Sequence, residues 1–265
     1  MPSHRTTGLR PAQFTTLLAL LTNTLTWNTP NTKPHKLTLT QGLKATLLYL
    51  RQNQTEEFLA EDFGVSQPTI SRILNKIETA LLHVLAPAVP PIPETLLQSS
   101  GTVIVDGTLV PCWAWRDKPE LYSGKHHTTG VNLQVACTLG GRLAWASDPL
   151  PGRVHDARAL TESGLLEGPG ETTTHDPGSS SVPHIADKGY VGMGLITPVK
   201  KLPGLPLSEA DKNFNRAIDR IRWRIEQVIA HLKTWKTLKT GYRRPIDALP
   251  DAITTILGII FTYTL

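Results

Sequence analysis

Residues 102–108 read TVIVDGT. Four β-branched residues in a row, with Gly101 before them and Gly107 close behind, mark a short buried strand. The strand delivers a carboxylate, Asp106, at its end, and Gly107 and Thr108 leave room beside it. Downstream, 131–138 (VNLQVACT) and 142–147 are further β-rich runs bounded by Gly and Pro. Residues 155–166 then read as a helix, 184–186 as a short strand and 196–199 as another. A long helix is expected from about 208 to 239, and a last apolar helix from about 249. Three strands, a helix, a strand and later helices predict an α/β domain with a mixed sheet flanked by helices.

Two more carboxylates stand in the same kind of setting. Asp187 follows the short strand HIA with Gly189 close behind, and Glu226 sits in the middle of the long helix. Hard cations such as Mg²⁺ take oxygen ligands held in near-octahedral geometry, which rigid strand ends can supply. Two such ions would activate a water or a 3′-hydroxyl and stabilise the leaving oxygen. Taken singly, an Asp at a strand end is as well explained by a turn or cap, and a helix Glu by a salt bridge. The neighbourhood of Glu226 raises its interest: Arg222, Glu226 and Lys233, at i, i+4 and i+11, share one helical face. From 212 to 244 there are ten Lys and Arg against two acids, interleaved with Trp223, Ile225, Val228, Ile229, Leu232 and Trp235. That spacing places the charge on a folded helix beside a polyanion rather than on a tail.

Upstream, 86–93 reads APAVPPIP, which cannot continue a helix and separates two domains. The expected division is a helical domain over 1–85, a Pro-rich linker over 86–100 and an α/β domain over 101–265. Residues 28–34 and the low-complexity stretch 167–183 read as further linker and loop. Within the front domain, 55–85 reads TEEFLAEDFGVSQPTISRILNKIETALLHVL. Thr55 caps a helix with Glu56 and Glu57 in its first turn and an apolar face of Phe58, Leu59 and Phe63. Ala60 permits close approach of a second helix, and Gly64 permits the sharp turn between them. Ser66 caps the second helix, which buries Ile70, Ile73, Leu74, Ile77 and Leu81. Gln67, Thr69, Ser71, Arg72, Asn75 and Lys76 remain on its outer face, where they can reach base edges or phosphates in a major groove. The plainer account, a helical hairpin with a solvated polar face, fits the Ala, Gly and Val-Ser register less well.

The overall balance is modest: 27 Lys and Arg, 22 Asp and Glu, a net charge of +5. Two cysteines without CxxC spacing suggest neither a disulfide framework nor a zinc site, which points to the cytosol. The uncharged C-terminal stretch falls short of the roughly 20 residues a bilayer needs and reads as a core helix. Three features stay open. Asp156 could be a metal ligand or the cap of its own helix, with His155 a DNA or ligand-supporting contact. His126 and His127 beside Lys125 read as a basic loop at a DNA backbone rather than a transition-metal site. Trp113, Trp115 and Trp145 could pack the core or stack on a base.

Together, VDGT at 105–108, GRVHDARAL at 152–160, ADKGY at 186–190, Arg222-x3-Glu226-x6-Lys233 and LKTWKTL at 232–238 resemble the DDE transposases of bacterial insertion sequences. The likeness is to the insertion-sequence-five branch, related to the Harbinger elements, and it spans about 38–262, with the front segment resembling the helix-turn-helix that precedes such domains. The resemblance implies a ribonuclease-H-like fold with Asp106, Asp187 and Glu226 as catalytic metal ligands. It implies Mg²⁺ or Mn²⁺, two ions, as cofactor, and double-stranded DNA (terminal inverted repeats and target) as partner of a homo-oligomer. Arg222 and Lys233 join the helix-turn-helix residues as expected DNA contacts. Where that signature has a Tyr three residues before the Arg, this chain has Asp219, which leaves the ligands intact. The alternatives are a catalytically inactive, transposase-derived DNA-binding protein and a metal-dependent nuclease that only hydrolyses.

Overall fold

A computed structural model describes residues 4–30, 33–91, 101–113, 117–166 and 184–263. Two compact units emerge: residues 1–89 together with 233–265, and residues 90–232.

The first unit is helical. It contains α1 (His4–Thr7), α2 (Pro11–Thr24), α3 (Leu39–Gln52), α4 (Glu56–Phe63), α5 (Gln67–Leu85) and α8 (Leu249–Tyr263). Thr38 opens α3 with a reciprocal cap: its hydroxyl accepts from the Gln41 amide while the Gln41 side chain accepts from the Thr38 amide. Thr55 caps α4 by accepting from the Phe58 amide, and Gly64 ends it at φ 64°, a left-handed turn that suits a residue without Cβ. Ile70, Ile73, Leu74, Ile77 and Leu81 of α5 are all at most 1% exposed, as their spacing predicts. Each such burial is worth about 1.5–3 kcal/mol. Two expectations fail in detail. Phe58 lies on the outside, 51% exposed. Ser66 does not cap α5; its hydroxyl pairs with that of Thr69 at 2.9 Å.

By contacts, residues 233–265 group with these front helices. The reason is apolar surface. α8 buries Leu249, Ala252, Ile253, Ile256, Leu257, Ile259 and Ile260, and it packs on α5. By length and composition the stretch Ile246–Tyr263 could cross a membrane, but half of it is buried in this unit. Tyr49 and Tyr242 are also covered, beside an ion pair of Glu78 and Arg244, and Trp235 is buried against Gly8. The Pro-rich stretch begins as a single 3-10 turn, Ala86–Ala88, and its residues 92–100 lie outside those described, as do 167–183.

The second unit is α/β. Strand β1 (Val103–Pro111) pairs antiparallel with β3 (Thr128–Thr138), and β3 carries β4 (Leu143–Ala146) along its other edge. Short β2 (Tyr122–Ser123) and β5 (Leu150–Pro151) pair with the start of β3. On the free edge of β1 the chain returns in parallel: Ile185 bridges Ile104, and Ile196 bridges Ile185. The strands expected over 184–186 and 196–199 are thus single bridges, placed where the expected sheet needed them. Helix α6 (Asp156–Glu162) covers one face, closing a core of Val105, Ala136, Trp145, Leu160, Ala186 and Tyr190. Helix α7 (Glu209–Leu232) meets β1 and β3 through Ile218, Ile225 and Val228.

Candidate active site

Strand alternation decides what Asp106 faces. Its neighbours Val105 and Gly107 point to the α6 face, so Asp106 points the other way, where α7 brings Arg222. Arg222 Nη2 donates to Asp106 Oδ2 at 3.3 Å, and Asp106 Oδ1 accepts from the Gly107 amide at 2.9 Å. Asp106 lies inside β1, not at its end as the four-residue run suggested, because pairing with β3 continues to Pro111.

Asp187 follows the segment hydrogen-bonded to β1. Val105 N donates to Ile185 O at 2.8 Å, and Ile185 N donates to Val103 O at 2.9 Å. Two aspartates therefore leave neighbouring, parallel segments at the same end. Asp187 also caps the 3-10 turn Lys188–Tyr190 through the Gly189 amide at 2.6 Å. Burial pushes the Asp106 carboxyl up to about 6; Arg222 opposes this, while the charges of Asp187 and Asp156 add to it. Like charges gathered at a buried strand are the electrostatic setting in which a divalent cation is welcome. Oxygen-only donors of this kind suit a hard ion.

Glu226 is placed differently. It is exposed on α7, one turn beyond Arg222 on the same face. Among the described residues no three His, Cys, Asp or Glu side chains are grouped to hold one ion. Lys233, expected on the same helical face, stands in the turn after α7, since the helix ends at Leu232 rather than near 239. Burial and then Lys239 lower its pKa to about 8. Asp219 is exposed.

The open residues are also placed. Asp156 starts α6, but its oxygens turn to other elements: Oδ2 accepts from Lys125 Nζ at 2.6 Å and Oδ1 from Asn132 Nδ2 at 2.8 Å. It lies against Gly107, where a Cβ would stand 2.5 Å from Asp156 Oδ1. Trp145 is in the core, Trp113 is 59% exposed, and Trp115 lies outside the described residues. Sequence reasoning missed Asn132, Gln134 and Tyr190. A signal existed: two polar residues alternate with Val131, Leu133 and Val135 in the buried part of the strand, which marks a polar interior on the sheet face opposite Asp106.

On the outer face of α5, Arg72 and Asn75 are exposed, and Arg72 Nε donates to Pro68 O at 2.9 Å. Ser71 is half-buried. Gln67 donates to Glu56, and Thr69 pairs with Ser66. Lys76 is turned inward: Nζ donates to Trp27 O at 3.1 Å, lies 3.2 Å from His35 Nε2 and sits over the Trp27 ring.

Comparison with known proteins finds two family matches, and the second half of the chain is matched across the division between the units. A family described as DDE superfamily endonuclease matches residues 105–260, and the helix-turn-helix of DDE superfamily endonuclease matches residues 35–87. A putative transposase for insertion sequence element IS112 from Streptomyces albus G is 32% identical over 234 residues, covering 88% of this chain and 83% of that protein. A probable transposase for insertion sequence element IS702 from Microchaete diplosiphon is 29% identical over 231 residues, covering 81% and 76%. No solved structure matches.

Proposed function

The chain belongs to the DDE superfamily endonucleases, with the ribonuclease-H-like fold and the divalent-metal chemistry of that family, and on this premise we propose that it is a DNA transposase. It binds the ends of its element and performs metal-dependent strand cleavage and strand transfer. The observation that carries the reading is the pair Asp106 and Asp187, leaving adjacent parallel segments of one sheet, with Asp106 buried enough to sit at about 6.

In this reading Asp106 and Asp187 hold Mg²⁺ or Mn²⁺, two ions, with Glu226 as the third ligand. Glu226 shares the face of α7 that already reaches Asp106 through Arg222. The ions supply activation of a water or 3′-hydroxyl and stabilisation of the leaving oxygen. Arg222 and Lys233 serve the DNA backbone, and Gln67, Thr69, Ser71, Arg72 and Asn75 serve recognition, with Lys76 on the same face tied to Trp27 and His35. The partner is double-stranded DNA, both terminal inverted repeats and target, engaged by a homo-oligomer in the cytoplasm at the nucleoid.

The test is mutational. Asp106→Asn, Asp187→Asn and Glu226→Gln should each abolish Mg²⁺-dependent cleavage of a duplex copying the DNA that flanks the coding sequence, while binding to it persists. Substantial cleavage by all three variants would overturn the assignment. Cleavage lost only at the two aspartates would remove Glu226 from the ligand set.

A further inference from the structure

On the face of the sheet opposite Asp106, a chain of side chains crosses from the Asp187 turn to the surface. Tyr190 Oη donates to Gln134 Oε1 at 2.8 Å, and Gln134 Nε2 donates to Asn132 Oδ1 at 2.8 Å. Asn132 Nδ2 donates to Asp156 Oδ1 at 2.8 Å, and Lys125 Nζ donates to Asp156 Oδ2 at 2.6 Å. Tyr190, Gln134 and Asn132 are buried. The bare Cα of Gly107 makes the crossing possible, since a Cβ there would stand 2.8 Å from Gln134 Nε2 as well as against Asp156.

We propose that Asp156, anchored through Asn132 and Gln134 to Tyr190, is a positioning residue that holds Lys125 as a contact for a DNA phosphate beside the Asp106 and Asp187 site. Folding does not explain the arrangement. The lysine side chain is 58% exposed, and an ion pair so placed adds little to stability. Burying three neutral polar side chains merely to reach that pair gains nothing over an apolar strand.

What the arrangement does is fix a mobile cation. Lys125 stands in the turn between β2 and β3 and would otherwise sample many rotamers. Held by Asp156, it feels the charges of Asp187 and Asp106 as well, so it lies within electrostatic reach of both. The surrounding pocket adds His126, Arg153 and His155 around Asp156. Lysine, arginine and histidine lining a pocket beside a metal-type site select an anion, and on a DNA substrate the anion is a backbone phosphate. Because the chain begins at Tyr190, three residues after Asp187, the lysine and that ligand are set by one continuous network.

The inference rests on the transposase reading, and the experiment separates the two. Intact protein is titrated with a duplex copying the DNA that flanks the coding sequence, without divalent metal, over a range of salt; cleavage is then measured with Mg²⁺. Lys125→Ala should lower the slope of log K against log[salt] by about 0.9, the value of one phosphate contact, and Lys125→Arg should restore it. Asp156→Asn, which leaves the lysine charged but unheld, should lower the same slope. Both should cut cleavage by roughly 10–100-fold. Combining them should cost no more than either alone, because they act as one unit. A merely structural pair would shift the melting temperature and leave the slope alone. An unchanged slope in Lys125→Ala, or cleavage lost in Asp156→Asn but kept in Lys125→Ala, would overturn the proposal. Normal cleavage by Asp106→Asn would instead sink the reading of the catalytic centre, while the slope still reports on Lys125.

Discussion

Asp106 shows how one side chain ties chemistry to stability. Burial is the first cause of its raised pKa, Arg222 the main opposing one, with Asp187 and Asp156 adding their repulsion. In the proposed reading Asp106 ligates the ion, and a ligand must be deprotonated, so protons would compete with the ion as pH falls through about 6. Cleavage should therefore show an acid limb near 6, dropping about tenfold per unit below it. Arg222→Gln removes the opposing charge and should move that limb to higher pH; a limb that stayed or moved down would show that Arg222 does not hold Asp106. The stability sign is fixed by the same shift. A carboxyl raised from 3.8 to about 6 favours the fold below its unfolded value, and that contribution is lost as pH rises through the folded one. Asp106→Asn should then melt no lower than the parent protein at pH 8, and a clear drop would mean the carboxylate is stabilised in the fold rather than strained there.

At the scale of the element, α5 separates what its sequence disclosed from what it could not. Its apolar face, its entry from Gly64 and its polar outer face follow from spacing and turn chemistry alone. The fate of Lys76 does not, because its partners Trp27 and His35 come from 49 and 41 residues away. Two basic residues of the same outer face should hence behave differently. Arg72→Ala should weaken binding to element ends without a change in melting temperature. Lys76→Ala loses the Trp27 contacts as well, worth about 0.5–1 kcal/mol for the ring alone, or roughly 2–4 °C. Equal melting temperatures for the two, measured by calorimetry, would place Lys76 back among the free DNA contacts. The same logic covers the carboxylates. That Asp106 and Asp187 follow neighbouring buried segments was legible, because a β-branched run and a nearby Gly are local signals. Asp156 was not, since its partners lie on β3 and on the turn before it. Lys233 was misplaced because a helix end inside a continuous basic pattern has no sequence mark.

At the scale of the molecule, the unit that holds the helix-turn-helix does not follow the order of the chain, although the endonuclease family match runs on to residue 260. The family helix-turn-helix covers residues 35–87, yet the unit that contains it also takes residues 233–265. The joint is specific. Glu78 of α5 and Arg244 form an ion pair whose side chains are 17% and 15% exposed. Asn53 Nδ2 donates to Thr240 Oγ1 at 2.7 Å and to Gly241 O at 3.0 Å, and a Cβ on Gly258 would stand 2.7 Å from Leu85 O. Removing one partner of a buried pair costs about 3–5 kcal/mol, since the other charge remains uncompensated. Arg244→Ala should accordingly destabilise the helical unit by that order, a large share of the 5–15 kcal/mol typical of a domain. A stronger test follows. A fragment of residues 1–89 lacks α8, so α5 would expose the face that α8 covers; it should not unfold cooperatively. Residues 233–265 joined to it through a flexible Gly/Ser linker should restore a cooperative transition and binding to element ends. A cooperative, DNA-binding 1–89 fragment would show that the C-terminal segment is an accessory, and that the reader is complete before the sheet begins.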